Sequence, residues 1–454
     1  MISVQEIAAA WKHVAAVLSA LVALQLAPAS VAAKTPTPDT VVFDNVRIFD
    51  GKASTLSAPT SVRVKGKVIE VIGAGAKIDL PKDALIIEGS GRTLMPGLID
   101  AHTHMLYTIV PQATILTSDL GYLNVAATKT AEEMLLRGFT SVRDVGGSVF
   151  GLKKGVDAGL VPGPRIWPSG LSISQTGGHG DFRMPNEVAA DSHSHAEMLG
   201  AVADSPDEVQ QAVRRQLALG ASQIKLMAGG GVSSPYDPLD VTQYSPAEMR
   251  IAVETAANWG TYVTVHAYTP RAVRQAVEAG VKSVEHGHLI DEATAKLMAE
   301  RGTWIVLQVF LDDEDAVPFP PGSAARAKQM KMIEGTDRAY RLARKYGLRV
   351  GWGSDTLFDQ KLASRQGFQL TKLVRWFTPA EVLKIATGDN AQLLSLSGPR
   401  SPYAGRIGVV EEGALADLLL VDGDPIANLE LINNPDKNFL VIMKDGVIHK
   451  NRTQ

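Results

Sequence analysis

Two periods of hydrophobicity divide this chain. From about residue 95 to residue 398, short apolar runs bounded by glycine-rich or polar turns alternate with stretches whose apolar residues recur every three or four positions. Residues 205–219 form one such stretch. Ser205-Pro206 supplies a cap and first turn, Gly220 a stop, and the strand-like run Gln223-Ile224-Lys225-Leu226-Met227 follows. Residues 246–257 lead in the same way to Tyr262-Val263-Thr264-Val265, and residues 271–279, closed by Gly280, lead to the run that ends at Glu285. Repeated strand and helix predict a parallel sheet of the α/β class, and this many units favours closure into a (β/α)8, TIM-like barrel. An open doubly wound sheet is the competing architecture, disfavoured because no dinucleotide-binding fingerprint is present.

The flanks have the other period. Val42-Phe43-Asp44-Asn45-Val46-Arg47-Ile48 and Lys67-Val68-Ile69-Glu70-Val71-Ile72 alternate between turn signals, and the texture returns at residues 416–424 and 441–448. Both ends of the chain are thus expected to build one small composite β-sandwich, residues 34–94 with 399–454, around a barrel of residues 95–398. Residues 1–33 read as a secretory signal, with Lys12, an apolar stretch at residues 14–26 and small residues through Ala32-Ala33. The apolar part is short for a membrane span, so cleavage, a secreted or periplasmic protein and no stable membrane association are expected; an amino-terminal anchor is the alternative, and Glu6 departs from the ideal signal pattern.

Composition narrows the chemistry. The 454 residues carry a formal net charge of -3, which gives no electrostatic case for nucleic acid as a partner. With no cysteine in the chain, there is neither a disulfide framework nor a thiolate metal site, so a metal would rest on histidine, carboxylate or a modified side chain.

Several strand ends carry ligand-type residues. His102-Thr103-His104 follows an apolar run, and alternation along a strand points positions i and i+2 to one side, so both imidazoles can reach one ion. Lys225, His266, His286 and Asp355 each sit at or near the end of a further apolar segment, before a glycine-rich or polar turn. Active residues of barrels gather at the carboxyl ends of strands. Singly, each has a plain explanation as a hydrogen-bonded core histidine or a helix cap. Lys225 is the sharpest member, because an unpaired ammonium inside Ile224-Lys225-Leu226 carries a large desolvation penalty and favours the neutral amine. A neutral amine can add carbon dioxide to give a carbamate able to bridge two cations; a lysine that snorkels or pairs with Asp144 is the plain reading. Arg143 and Asp144 themselves read as a structural pair or as support behind the site rather than as catalytic groups, and Asp100 as support for the first histidine pair.

Pro96-Gly97-Leu98-Ile99-Asp100-Ala101-His102-Thr103-His104, the strand lysine, Val265-His266-Ala267, Val284-Glu285-His286-Gly287 and Gly353-Ser354-Asp355-Thr356 resemble the amidohydrolase superfamily over nearly the whole mature chain. Gln175 to Asp181 and His266-Ala267-Tyr268-Thr269-Pro270-Arg271 are similar to its Xaa-Pro and Xaa-basic dipeptidase branch, related to ochratoxin-hydrolysing enzymes. The resemblance implies two divalent ions, zinc first among them, with His102, His104 and Asp355 on the more buried one, His266 and His286 on the other, and carbamylated Lys225 bridging. It implies hydrolysis of the amide bond of dipeptides, N-acyl amino acids or ochratoxin-like amides by metal-bound hydroxide, with Asp355 moving the proton, and a symmetric homo-oligomer of unfixed order. In the resembling dipeptidases the loop equivalent to the one holding His179, and the tyrosine equivalent to Tyr268, recognise the free carboxylate of the leaving amino acid, which implies that role for His179 and Tyr268. Arg271 offers a bidentate alternative or is a solvent-facing first-turn residue, and His288 is a further candidate contact. His193 and His195 lie in a polar loop, as lid or as solvated chain. The rivals are a cyclic-amide hydrolase of the imidazolonepropionase kind, a mononuclear deaminase, disfavoured by the missing His-x-x-Glu, and a non-catalytic protein on the same scaffold.

Overall fold

The computed structural model describes residues 38–184, 199–234 and 236–453. The segment read as an export signal, residues 1–33, and His193 and His195 lie outside them. The amino-terminal part gives β1 (Thr40–Ile48), β2 (Thr60–Lys65), β3 (Val68–Ile72), β4 (Leu85–Glu88) and β5 (Thr93–Pro96). The barrel strands are β6 (Leu98–Thr103), β7 (Phe139–Asp144), β8 (Arg165–Pro168), β9 (Ser172–Ser174), β10 (Gly200–Val202), β11 (Ile224–Met227), β12 (Val263–Ala267), β13 (Ser283–His286), β14 (Trp304–Leu307) and β15 (Arg349–Trp352). Then β16 (Leu418–Val421), β17 (Phe439–Lys444) and β18 (Val447–Asn451) complete the chain.

The helices that alternate with the barrel strands start where the sequence supplies caps. The Ser205 and Thr269 side chains accept N–H bonds at the starts of Pro206–Ala218 and Pro270–Ala279, and Ser245 forms a full capping box with Glu248 on Pro246–Asn258. All the barrel pairings are parallel, in two arcs: β6-β7-β8 and β10-β9-β11-β12-β13-β14-β15. Only Ser169, Gly170 and Leu171 separate β8 from β9, so the two serve as one barrel strand. At the other join the Asp355 N–H donates to the His102 carbonyl at 2.9 Å. Val265, Val284 and Ile305 face the helices in a buried core, while the residues that alternate with them, Thr264, His266 and Glu285, occupy the lumen.

Asn390 fastens β6 to β15. Its amide donates to the carbonyls of Ile99 at 2.7 Å and Trp352 at 2.8 Å and accepts from the Trp352 N–H at 3.1 Å, all buried. Asn390→Ala strands these groups, and the expected loss is about 3 kcal/mol of unfolding free energy, measured by denaturant titration; a loss under about 1 kcal/mol would mean that the strands hold without it.

Strands from both ends form one eight-stranded sheet of order β18-β17-β16-β5-β1-β2-β3, with β4 on β1. Its register shifts between Phe43 and Val46, where Asn45 takes a φ of 52°. Val41 and Phe43 from one end and Leu418, Leu420 and Val441 from the other share one buried cluster.

Candidate metal centre and substrate pocket

β6 delivers His102 and His104 to the rim, and β15 delivers Asp355 beyond its last residue. Asp355 Oδ1 lies 3.2 Å from His102 Nε2 and 3.5 Å from His104 Nε2. One donor atom from each of the three residues falls within 4.8 Å of the others, the geometry of a shared ion. The chemistry of this donor set fits a divalent cation: His102 Nε2 is buried and has no hydrogen-bond partner, although its other nitrogen is fixed. Gly353 permits the approach, since a Cβ there would overlap the backbone of His102. Asp100, in the supporting role read for it, accepts the N–H groups of both His102 and Ser354 at 3.0 Å and so ties the two ligand-bearing strands together.

The remaining predicted ligands stand beside this trio. His286 and His102 have ring centroids 5.0 Å apart, and His266 and His286 4.6 Å. His266 Nε2 meets the Gly230 carbonyl at 3.1 Å and His286 Nδ1 meets the Gln308 side chain at 2.7 Å, leaving one nitrogen of each ring for other work. Burial holds both imidazoles well below the usual range, with neighbouring histidines and Lys225 adding to it, so both are neutral as ligands must be. Lys225 lines the same pocket at 1% exposure, and burial pulls its ammonium down to about 8 against the opposing pull of Glu285 and Asp355. Both His286 (φ 76°) and Asp355 (φ 48°) sit in left-handed backbone that swings a strand-end side chain inward.

Beneath the centre lies a buried network that gives Arg143 and Asp144 the supporting role read for them, though not as partners of each other. Arg143 bonds Glu285, not Asp144: its Nη2 meets Glu285 Oε1 at 2.7 Å, while Asp144 accepts the backbone N–H groups of Met105 and Gly146. The other Glu285 oxygen takes the His102 Nδ1 at 2.7 Å, and the hydroxyls of Thr264 and Ser283 complete its shell. Burial would raise the Glu285 carboxyl, but Arg143 and His102 outweigh it and hold the carboxyl far below its ordinary value. With a carboxylate at Nδ1, His102 presents Nε2 to the cation position.

The candidate substrate contacts divide. His179 and Tyr268 line the pocket, His179 stacked on His266 at 4.2 Å and Tyr268 edge-on to it at 4.9 Å. Arg271 does not join them: it is exposed on the first turn of Pro270–Ala279 and outside the lining, as a solvent-facing helix residue. His288 is fully buried behind the wall, bonded to the Gln308 carbonyl at 3.0 Å and stacked on Phe310, so it supports the lining without being part of it. Above the histidines, Tyr107, Phe182, Phe310, Phe319, Leu357 and Phe358 make an apolar wall. Part of it, residues 309–319, is held by Asp313 to Lys372 at 2.7 Å and by Asp315 to Arg365 and Lys372. The wall comes from loops without hydrophobic period, which is why sequence patterning missed it.

The amidohydrolase family profile matches residues 93–449. Ochratoxinase of Aspergillus niger is 30% identical over 451 residues, spanning 94% of this chain and 90% of its own. A solved prolidase complexed with N-methylphosphonate-L-proline superimposes with a TM-score of 0.83 at 34% identity, over 91% of this chain and 100% of its own. A Xaa-Pro dipeptidase with methionine bound in the active site gives a TM-score of 0.79 at 27% identity, over 91% and 100%.

Proposed function

This chain belongs to the amidohydrolase family, and on that premise we propose that it is a binuclear metal-dependent hydrolase of dipeptides and N-acyl amino acids with an apolar group beside the scissile amide. The observation that carries this reading is the orphaned Nε2 of His102, set among two further donors at the foot of an apolar pocket. His102, His104 and Asp355 would hold one ion, His266 and His286 a second, and Lys225 as its carbamate would bridge them. When bound, such ions supply Lewis acidity that lowers the pKa of water and polarises the scissile carbonyl.

The chain's own residues do the rest. Asp355 takes the proton of the attacking water and returns it to the leaving nitrogen, which an amide needs because its nitrogen leaves poorly until protonated. Glu285 keeps His102 in the tautomer that leaves Nε2 unprotonated. The aromatic wall excludes water and favours an apolar substrate group, and His179 and Tyr268 meet the free carboxylate of the leaving amino acid. The proline derivative bound by the solved prolidase accords with an amide whose leaving part is an amino acid.

The deciding experiment strips the protein with a chelator, reloads it with zinc and measures turnover of N-acyl amino acids, Xaa-Pro dipeptides, an ochratoxin-type phenylalanine amide and a cyclic amide. Activity on the open-chain acids with two metals bound is expected. Turnover confined to the cyclic amide, or none at full metal loading, would remove the reading.

A further inference from the structure

His179 enters the pocket from the turn after β9, yet a different segment fixes its ring: residues 229–234 and 236–240, after β11. One face of the imidazole lies on His266, with planes 21° from parallel. On the other side there is room only for glycine, because a Cβ at Gly231 would overlap the ring. At the ring's edge, His179 Nδ1 lies 3.3 Å from Asp237 Oδ2, within ion-pair reach but outside hydrogen-bond alignment, and Nδ1 has no other partner among the described residues.

Asp237 is 2% exposed. Its Oδ2 also accepts the Gly231 N–H at 2.6 Å and the Gln243 amide at 3.4 Å, while Oδ1 is buried without a partner. A buried carboxylate oxygen calls for polar partners. Among the described residues, His179 is the one ionisable side chain paired with it. The loop itself is clamped from below: Lys328 Nζ donates to the carbonyls of Gly231, Ser234 and Asp237 at 3.0, 2.9 and 2.7 Å. That ammonium is committed to the backbone, and no arginine is among the described lining residues. Outside the metal centre, the His179 imidazole, with Tyr268 also in the lining, is therefore a group equipped to meet an anion in a largely apolar pocket.

We propose that Asp237 is the positioning residue that holds His179 as receptor for the substrate carboxylate, with Gly231 giving the ring its room and Lys328 fixing the loop. The inference rests on the dipeptide and N-acyl amino acid reading and adds the device that orients the receptor. Asp237 does not touch the substrate. Its carboxylate faces Nδ1, so that Nε2 remains for the ligand.

The test is calorimetric titration of the zinc-loaded protein with L-phenylalanine and with L-phenylalaninamide, which differ only at the terminal group. The wild type is expected to bind the acid at least about tenfold more tightly than the amide, and Asp237→Asn to shrink that ratio to about two or less, with zinc content held and partial recovery in Asp237→Glu. Gly231→Ala reaches the same collapse of the ratio by pushing the ring aside, which keeps the proposal open to test if one variant misfolds. Equal binding of acid and amide by the wild type would overturn it. So would an unchanged ratio in Asp237→Asn, or a parallel loss of both ligands, which marks mere structural support. If acid preference stands while no peptide or N-acyl amino acid is hydrolysed, the reaction assigned above fails and the receptor remains; the converse removes the receptor alone.

Discussion

Lys225→Ala, prepared with zinc in excess, loses roughly a thousandfold or more in kcat/KM, the scale of removing a principal electrostatic stabiliser of the transition state. Formate, acetate or propionate restores part of the activity by entering the gap as surrogate carboxylates. The reason lies in where the lysine is held. At the foot of the pocket, burial lowers its ammonium from the ordinary 10.5 to about 8, with Glu285 and Asp355 limiting the fall. The direction fixes the pH dependence: the amine grows more neutral as pH rises through about 8, so uptake of carbon dioxide by the metal-free protein climbs up to that value and levels above it. Between about 8 and 10.5 the unfolded chain binds a proton that the folded one does not, so the metal-free protein also gains stability as pH rises there. Carbon-13 bicarbonate labelling read by NMR checks the first, and denaturant titration the second. Full activity in Lys225→Ala would end the proposed bridging role.

Glu285→Gln is expected to be the next most damaging change, and for two separable reasons. Glu285 is wholly buried against Arg143, so removing its charge strands a guanidinium at a cost of about 3 to 5 kcal/mol. It also frees the His102 ring from the carboxylate that sets its tautomer, weakening metal binding by about 10 to 100-fold. Adding Arg143→Met to the variant removes the stranded cation, so the double variant should regain much of the stability and none of the metal affinity. Denaturant midpoints give the first quantity and competition with a chromophoric chelator the second. Metal affinity of the single variant within twofold of wild type would show that His102 needs no such partner.

How much of this was legible in the residues follows from the range of each interaction. Helices bounded by Ser205-Pro206 and Gly220, or ended by Gly280, were readable because caps and periods are local. The candidate ligands stood out because functional side chains gather toward the carboxyl ends of barrel strands, where His102 and His266 stand one residue before the last of β6 and β12, while Lys225 is the second residue of β11. Partnership across the barrel was not readable. Arg143 stands 142 residues from Glu285, and the neighbouring Asp144 was the obvious but wrong mate. Alternation would also place Glu285 and His286 on opposite faces, and only the left-handed turn at His286 lets both serve one centre. Arg271 looked like an anion receptor because of its position near His266, and Asp237, in a loop with no period at all, gave no signal.

The pairing of β5 with β16 has a consequence for biosynthesis. Met95 lies opposite Leu419, roughly 320 residues later in translation order. At about 5 to 20 residues per second, β5 waits some tens of seconds beside the ribosome with that edge unzipped, while the barrel is still being made. The early hairpins must therefore be tolerated by chaperones as sticky nascent chain, and a stop codon before Leu418 would yield an almost complete barrel whose neighbouring sheet presents a raw edge to other molecules.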